Sequence, residues 1–294
     1  MAQIINTNLP SLNAQRNLTT SQSAQSQSIQ RLSSGLRINS AKDDAAGMAV
    51  ATRMDTIIRG SMVALRNAND GISLAQTAED AISKITDALQ RMRELAVQAS
   101  NATLSSGDRD NLEIEFLQMQ EEIHRVISGA QFNGVSLLDT GHATFQSAFR
   151  FQIGANQSGA NLLTVDTFTT NPAIPLGFST SYVGTGVGGG SAIIFIGGTD
   201  FVAAQSAIVL MDSALGLVNA ARAKWGAVQN RFDAIVSSLQ VLVENQSAAK
   251  SRITDADFAM ETARLTRAQI LQQAGTAMLA QANAIPNNVL TLLR

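Results

Sequence analysis

From Met211 to Ile253 the positions at alternating steps of three and four are Met211, Ala214, Val218, Ala221, Trp225, Val228, Phe232, Ile235, Leu239, Leu242, Gln246, Ala249 and Ile253. All but Gln246 are apolar, and the alternation holds through the whole stretch. A strand would need a period of two, so this spacing admits only a helix, about 65 Å long at the usual rise. A heptad repeat drifts against the pitch of a straight helix, so the seam keeps facing a partner only in a left-handed supercoil. One seam of this kind requires another.

A matching seam runs through Leu65, Ala68, Ile72, Ala75, Ala78, Ile82, Ile85, Leu89, Met92, Ala96 and Ala99, with one stammer between Ala75 and Ala78. A third, shorter stripe, Leu112, Phe116, Met119, Ile123 and Val126, follows the turn-like "SSGDRD". The fold class is therefore expected to be mainly α, a long coiled-coil-like helical rod whose seam alanines let helix axes approach closely. Between residues 129 and 205 the composition changes. "FRFQIGANQSGANLLTVD" predicts a small β-hairpin and "SAIIFIGG" a further strand. Charges nearly vanish between Asp166 and Asp200, where Gly, Ser and Thr are dense, as in an exposed, length-tolerant insert.

The two ends are nearly uncharged. Arg16 is the one charged residue among the first thirty, and residues 268 to 293 contain none. The C-terminal stretch is nevertheless apolar: Ile270, Leu271, Ala274, Met278, Ile285, Val289 and Leu293 gather on one side of a helix interrupted near Pro286. Ile5, Leu9 and Leu12 repeat the pattern briefly at the other end. A soluble surface is about one quarter charged or more, so such segments need cover. Two readings compete. Either the ends become ordered only against copies of the same chain, whose repeated contacts generate a helical polymer, or they fold back on the rod of a binding module or enzyme.

The absence of a catalytic constellation in the sequence favours the polymer. A formal net charge of −2 offers no basic field for nucleic acid or anionic lipid, and no run of 18 apolar residues suggests membrane insertion. Without cysteine there is neither a disulfide framework nor thiolate chemistry. "GTGVGG" (Gly184 to Gly189) matches a dinucleotide fingerprint, but a strand-like run follows it where a helix N-terminus would be needed. His124 and His142 lack the H-E-x-x-H spacing of a zinc site. The adjacent acids of "KDD" (Lys42 to Asp44) point in different directions, which fits a turn or helix start better than a paired-carboxylate site. No catalytic, metal or cofactor constellation is expected. The N-terminus lacks the basic and apolar regions of a cleaved secretory signal.

Several long motifs resemble bacterial flagellin: "RLSSGLRINSAKDDAAGMAV" (Arg31 to Val50), "RNANDGISLAQTAEDAI" (Arg66 to Ile82), "LQRMRELAVQASN" (Leu89 to Asn101), "QFNG" (Gln131 to Gly134), "GAVQNRF" (Gly226 to Phe232), "TRAQILQQAG" (Thr266 to Gly275) and the terminal "VLTLLR". The resemblance covers residues 1 to 166 and 205 to 294, in order, and implies a short form with reduced or absent outer domains. It implies a filament subunit used for swimming, with terminal helices 1–40 and 256–294 pairing in an inner tube. It also implies a helical domain with a β-hairpin over 41–170 and 205–255, and a variable exposed insert at 171–204. Ile5, Leu9, Leu12, Ile270, Leu271, Met278, Ile285, Val289, Leu290 and Leu293 would then form the inner core of the assembly.

Further expectations come with the family. The chain would be exported unfolded by the flagellar type III apparatus without a cleaved signal, guarded by an export chaperone, and would polymerise beneath a cap beyond the hook-filament junction proteins. Arg91, Leu95 and, by a weaker match, Glu115 correspond to the motif read by the flagellin-sensing Toll-like receptor; subunit packing is the plainer role for all three. Leu290, Leu292 and Leu293 correspond to the leucines sensed by inflammasome receptors. The metallopeptidase that some flagellins carry is not expected, since the insert offers His142 alone. A hook-filament junction protein is the nearest alternative, and full retention of "RELAVQ" and "TRAQILQQAG" favours the main subunit.

Overall fold

The computed structural model describes residues 7–139, 142–166, 196–198 and 201–291, with the backbone alone at residue 201 and at 285–291. The helices are α1 (Leu9–Ser34), α2 (Ala45–Ala99), α3 (Ser106–Gly129), α4 (Phe201–Thr254) and α5 (Phe258–Thr291). The strands are β1 (Gln131–Phe132), β2 (Val135–Ser136), β3 (Ala148–Gln152) and β4 (Leu162–Asp166). The chain forms two compact units, residues 59–243 and residues 1–58 with 244–294, and α2 and α4 contribute to both.

In the 59–243 unit the seams face the core as their periods predict, on α4 as far as Leu239. On α4, Met211, Ala214, Val218, Ala221, Trp225 and Phe232 join one cluster with Ile82, Ile85, Leu89 and Met92 of α2 and Phe116 and Ile123 of α3. Leu74, Ala88 and Leu95 are buried too, although they lie off the α2 seam. They recur at multiples of seven, so α2 buries a second line, as a helix covered on two sides must.

At Gly71 the chain requires a residue without a side chain, because an added Cβ would stand 2.4 Å from Cζ of Phe232. Phe151 of β3 meets the same ring edge to face, with centroids 5.3 Å apart. Phe232 thus joins both long helices to the hairpin.

"SSGDRD" opens α3 through a capping box: the Asp108 N–H donates to Ser105 Oγ, and Asp108 Oδ2 accepts from the Ser105 N–H. Hydrogen bonds from Ser105 hold the Asp108 carboxyl below its usual range. A depressed folded-state pKa means that this cap is complete above the ordinary carboxylate range and weakens as pH falls through the depressed value.

"QFNG" makes the two-residue turn between β1 and β2, with Asn133 at φ 51° and Gly134 at φ 77°. Left-handed values at both central positions suit Asn-Gly and match the strand twist. The predicted hairpin is β3 with β4, antiparallel from Ala148 opposite Asp166 to Gln152 opposite Leu162, and Leu163 and Val165 face inward.

The expected strand "SAIIFIGG" differs. Residues 191–195 lie outside the described residues, as does "GTGVGG", while Ile196–Gly198 are not strand. The N–H groups of Ile196 and Gly197 donate to Glu113 Oε2 instead, at 2.5 and 2.9 Å, and Arg109 Nε donates to the Gly198 carbonyl. Side chains of α3 satisfy the backbone that a neighbouring strand would otherwise pair. Of the insert expected at 171–204, residues 171–195 are outside the described residues and 201–204 already belong to α4.

By length and composition α4 is apolar enough to cross a bilayer, which the search for an uninterrupted apolar run did not reveal. Ala204, Ala207, Met211, Ala214 and Val218 of that stretch, however, form the core-facing seam, while Val202 and Val209 are exposed. Gln205, Ser206, Asp212, Ser213 and Asn219 occupy the exposed face, and Asp212 accepts from Arg93 Nε at 2.6 Å.

In the other unit, α1 and α5 pair antiparallel, joined near one end by Asn8 with Ala282 and near the other by Arg31 with Glu261. The terminal helices are therefore ordered against each other within one chain, where order only against other copies was expected. Their buried and half-buried positions also form heptad seams: Ser11, Ala14, Leu18, Ser21, Gln25, Ser28 and Leu32 on α1, and Glu261, Leu265, Ala268, Gln272, Gly275, Leu279 and Ala282 on α5.

Helix α5 continues through Pro286 to Thr291, whereas an interruption was expected there. Proline has no N–H to bond the Ala282 carbonyl. Asn8 Nδ2 donates to that carbonyl at 2.8 Å, while Asn8 Oδ1 caps α1 by accepting from the Ser11 N–H. Asn8→Asp keeps the capping acceptor and removes the donor. The expected result is faster amide exchange in residues 287–291 with α1 intact, a local loss of about 1–3 kcal/mol; unchanged exchange there would contradict this account.

Candidate assembly surface

The terminal helix pair buries the wrong residues for a self-sufficient domain. Ser11, Ser21, Ser28, Ala268 and Ala282 are buried between α1 and α5, and Leu18 packs against Gly275. Small side chains let the two backbones approach, but they bury little apolar area. Leu18, Leu32, Leu265 and Leu279 are half-buried at the seam, but other large side chains are left in water: Leu9 is 64%, Ile270 60% and Met278 64% exposed, and Leu12 and Leu271 are exposed as well. These five are the described members of the expected inner core. Ile5, Leu292 and Leu293 lie outside the described residues, as do the side chains of Ile285, Val289 and Leu290.

An apolar stripe left in water beside an almost uncharged helix pair marks a surface awaiting a partner. Covering what remains exposed of the five side chains would contribute roughly 1 kcal/mol each. Large apolar side chains at helical spacing make these residues legible in the sequence, whereas Ser, Gln, Gly and Glu occupy half of the α1–α5 seam and hide it. Only steps of three and four between small or polar side chains could have revealed it.

The loop between α1 and α2 meets the turn between α4 and α5. Backbone N–H groups of Arg37 and Ala256 donate to Thr254 and Gly35 carbonyls, and Lys250 pairs with Asp55 nearby. The carboxylates of "KDD" serve turns: Asp43 Oδ2 accepts from the N–H groups of Asn39 and Ser40, and Asp44 Oδ1 accepts from the Gly47 N–H at the start of α2. The backbone bonds, with Ser40 foremost, hold Asp43 below the usual carboxylate range.

A second cluster joins α2 to α3. Arg91 Nε and Nη2 both donate to Glu115 Oε1, at 2.8 and 2.7 Å, and Nη1 donates to Glu94 Oε2. The Glu115 carboxylate is the main cause of the raised Arg91 pKa. Arg91 and Glu115, expected together from the motif, are thus in direct contact. Leu95, expected beside them on a recognition surface, is 1% exposed and belongs to the core. Its place on the second buried line of α2 points it inward, so it can shape that surface only from beneath. The neighbouring Arg93–Asp212 pair has no signature in the sequence, because the partner lies on α4. His124 is half-buried on α3, where desolvation lowers its pKa, and His142 Nδ1 meets Thr144 Oγ1 within its own loop.

The family comparisons fall on these same segments. Residues 5–143 match the bacterial flagellin N-terminal helical region, and residues 208–293 match its C-terminal helical region. The chain belongs to the bacterial flagellin family. It is 44% identical to a flagellin of Halalkalibacterium halodurans over 292 residues, covering 99% of this chain and all of the relative. It is 41% identical to the flagellar filament 33 kDa core protein of Treponema phagedenis, again over 99% of this chain and the whole relative. The crystal structure of Bacillus cereus flagellin aligns with 59% of this chain and 88% of its own at 27% identity and a TM-score of 0.48. Both family regions reach into the terminal helix pair, and the described parts of the chain between them include β3 and β4.

Proposed function

We infer that this flagellin is the structural subunit of a bacterial flagellar filament, a homopolymer in which each copy covers the apolar faces of its neighbours. The observation that carries this reading is the exposure of Leu9, Leu12, Ile270, Leu271 and Met278 on a helix pair whose fully buried seam positions are all small or polar. Intersubunit burial of that face supplies the association energy, and the role is mechanical, with no bond made or broken. Family membership supports it, as does a relative named as a filament core protein. The same names weigh against the hook-filament junction alternative. Export occurs through the flagellar type III apparatus without a cleaved signal, an export chaperone shields the C-terminal helix beforehand, and growth proceeds beneath the cap, beyond the junction proteins.

Within the filament, residues 1–40 and 256–294 line the inner tube, 41–170 and 205–255 form the next layer, and 171–204 face outward. Ile5, Ile285, Val289, Leu290 and Leu293 extend the inner-core stripe beyond the side chains described. Leu290, Leu292 and Leu293 form the inflammasome-read end. The decisive experiment is electron microscopy of purified protein dissociated by heat and then reseeded with filament fragments. Tubes growing from the seeds are the expected result; monomers that never elongate would remove the reading.

Arg91 with Glu115 is the surface a flagellin-sensing Toll-like receptor would engage on free monomer, with Leu95 supporting it from the core. Arg91→Ala is expected to lower receptor signalling by free monomer while leaving helix content unchanged. Undiminished potency would take Arg91 out of that surface.

A further inference from the structure

Five charged side chains lie on α1 and α5 together, and four of them line one cleft between the helices: Arg31, Glu261, Arg264 and Arg267. The cleft has a volume of about 330 Å³, and Ser21, Ala24, Gln27, Ser28, Ala268 and Leu271 complete its walls. Glu261 is the one acid, 5% exposed, with Oε2 at 3.3 Å from Arg264 Nη1 and 3.9 Å from Arg31 Nη1. That carboxylate cannot neutralise three guanidinium groups. Arg31 Nε is buried with no hydrogen-bond partner, and Arg267 makes no ion pair among the described residues. A desolvated guanidinium N–H without an acceptor is costly, and Arg is suited to hold a carboxylate through its fork of donors.

We propose that this cleft binds an Asp or Glu carboxylate of a second copy of the chain, giving the otherwise apolar terminal contact a polar register point. This rests on the filament-subunit reading. Charge bookkeeping favours that occupant: α1 and α5 carry Arg16, Arg31, Arg264 and Arg267 against Glu261, a net of +3, so with −2 for the whole chain the remainder carries −5. Each copy therefore presents a cationic cleft and an excess of acids elsewhere. An apolar stripe alone tolerates axial slippage, whereas a charge pair excludes wrong registers.

The test uses full-length protein with Arg267→Lys, which retains the charge and supplies an amine. Filaments assembled from a mixture of nitrogen-15-labelled and unlabelled protein are treated with a carbodiimide, which couples an amine to a carboxylate in contact with it. The expected product is a peptide of mixed label joining position 267 to an Asp or Glu. Filaments that yield no mixed-label peptide at that position overturn the proposal. Independently, Arg267→Glu should raise the concentration needed for seeded growth about tenfold or more with the circular dichroism of the monomer unchanged. Growth of that variant at the wild-type concentration also overturns it. Failure of wild-type protein to elongate seeds would instead remove the filament reading itself, so the two failures are distinguishable.

Discussion

Phe232→Ala lowers the stability of the 59–243 unit by about 3–5 kcal/mol, the cost of removing a fully buried aromatic ring whose cavity cannot collapse. The ring is 0% exposed and has rigid surroundings on two sides. On one side is the α2 backbone at Gly71, which has no side chain with which to fill the void; on the other is Phe151, held in the β3–β4 ladder. Loss of the ring therefore removes a contact shared by the hairpin, α2 and α4, leaving the Asn67 bond to the Gln152 carbonyl and the burial of Leu163 and Val165 to hold the hairpin. Trp225 is the chain's single tryptophan and is buried in the same core, so its fluorescence follows this unit during urea unfolding. The expected result is a large drop in the midpoint of the Trp225 transition. A midpoint within experimental error of wild type would mean that the three-way junction contributes little.

Ile270→Asp has the opposite profile. In the monomer the side chain is 60% exposed, so the substitution should shift unfolding by no more than about 0.5 kcal/mol. In the proposed polymer the same position would be covered by another copy, and an unpaired carboxylate there would cost several kcal/mol at every subunit. Because assembly repeats that cost along the filament, seeded growth should be abolished at concentrations where wild type elongates fully. Sedimentation after reseeding, alongside circular dichroism of the monomer, separates the two effects. Filaments of normal yield from this variant would show that the outward face of α5 is not the surface buried on assembly.

The contrast between these substitutions follows how the two kinds of seam were encoded. Met211, Val218, Trp225 and Phe232 are large and apolar at every step, so their period announced both a helix and the face it buries, and burial agrees as far as Leu239. Beyond it Leu242 is exposed, since the covering cluster ends before the same periodic seam does. The β3–β4 hairpin was equally legible, from alternation around a Gly- and Asn-rich turn. Arg91 and Glu115 were found by motif, but their contact needed α2 and α3 side by side, and the burial of Leu95 needed the second covered side of α2. At Pro286 a sound local rule failed because Asn8, at the far end of the chain, replaced the missing donor.

By itself the sequence determined the helices, the faces with large apolar side chains, the β-hairpin and the family, because each is written in spacing or in long contiguous motifs. Only the tertiary structure decided which face of α1 and α5 turns inward. Serine, alanine and glycine at seam positions let the two backbones approach, with Leu18, Leu32, Leu265 and Leu279 half-buried beside them, so this face makes the intrachain contact, while Leu9, Leu12, Ile270, Leu271 and Met278 remain exposed. Periodicity can show that a helix has a face to bury, but which of two competing faces meets the neighbouring helix depends on how well both surfaces fit.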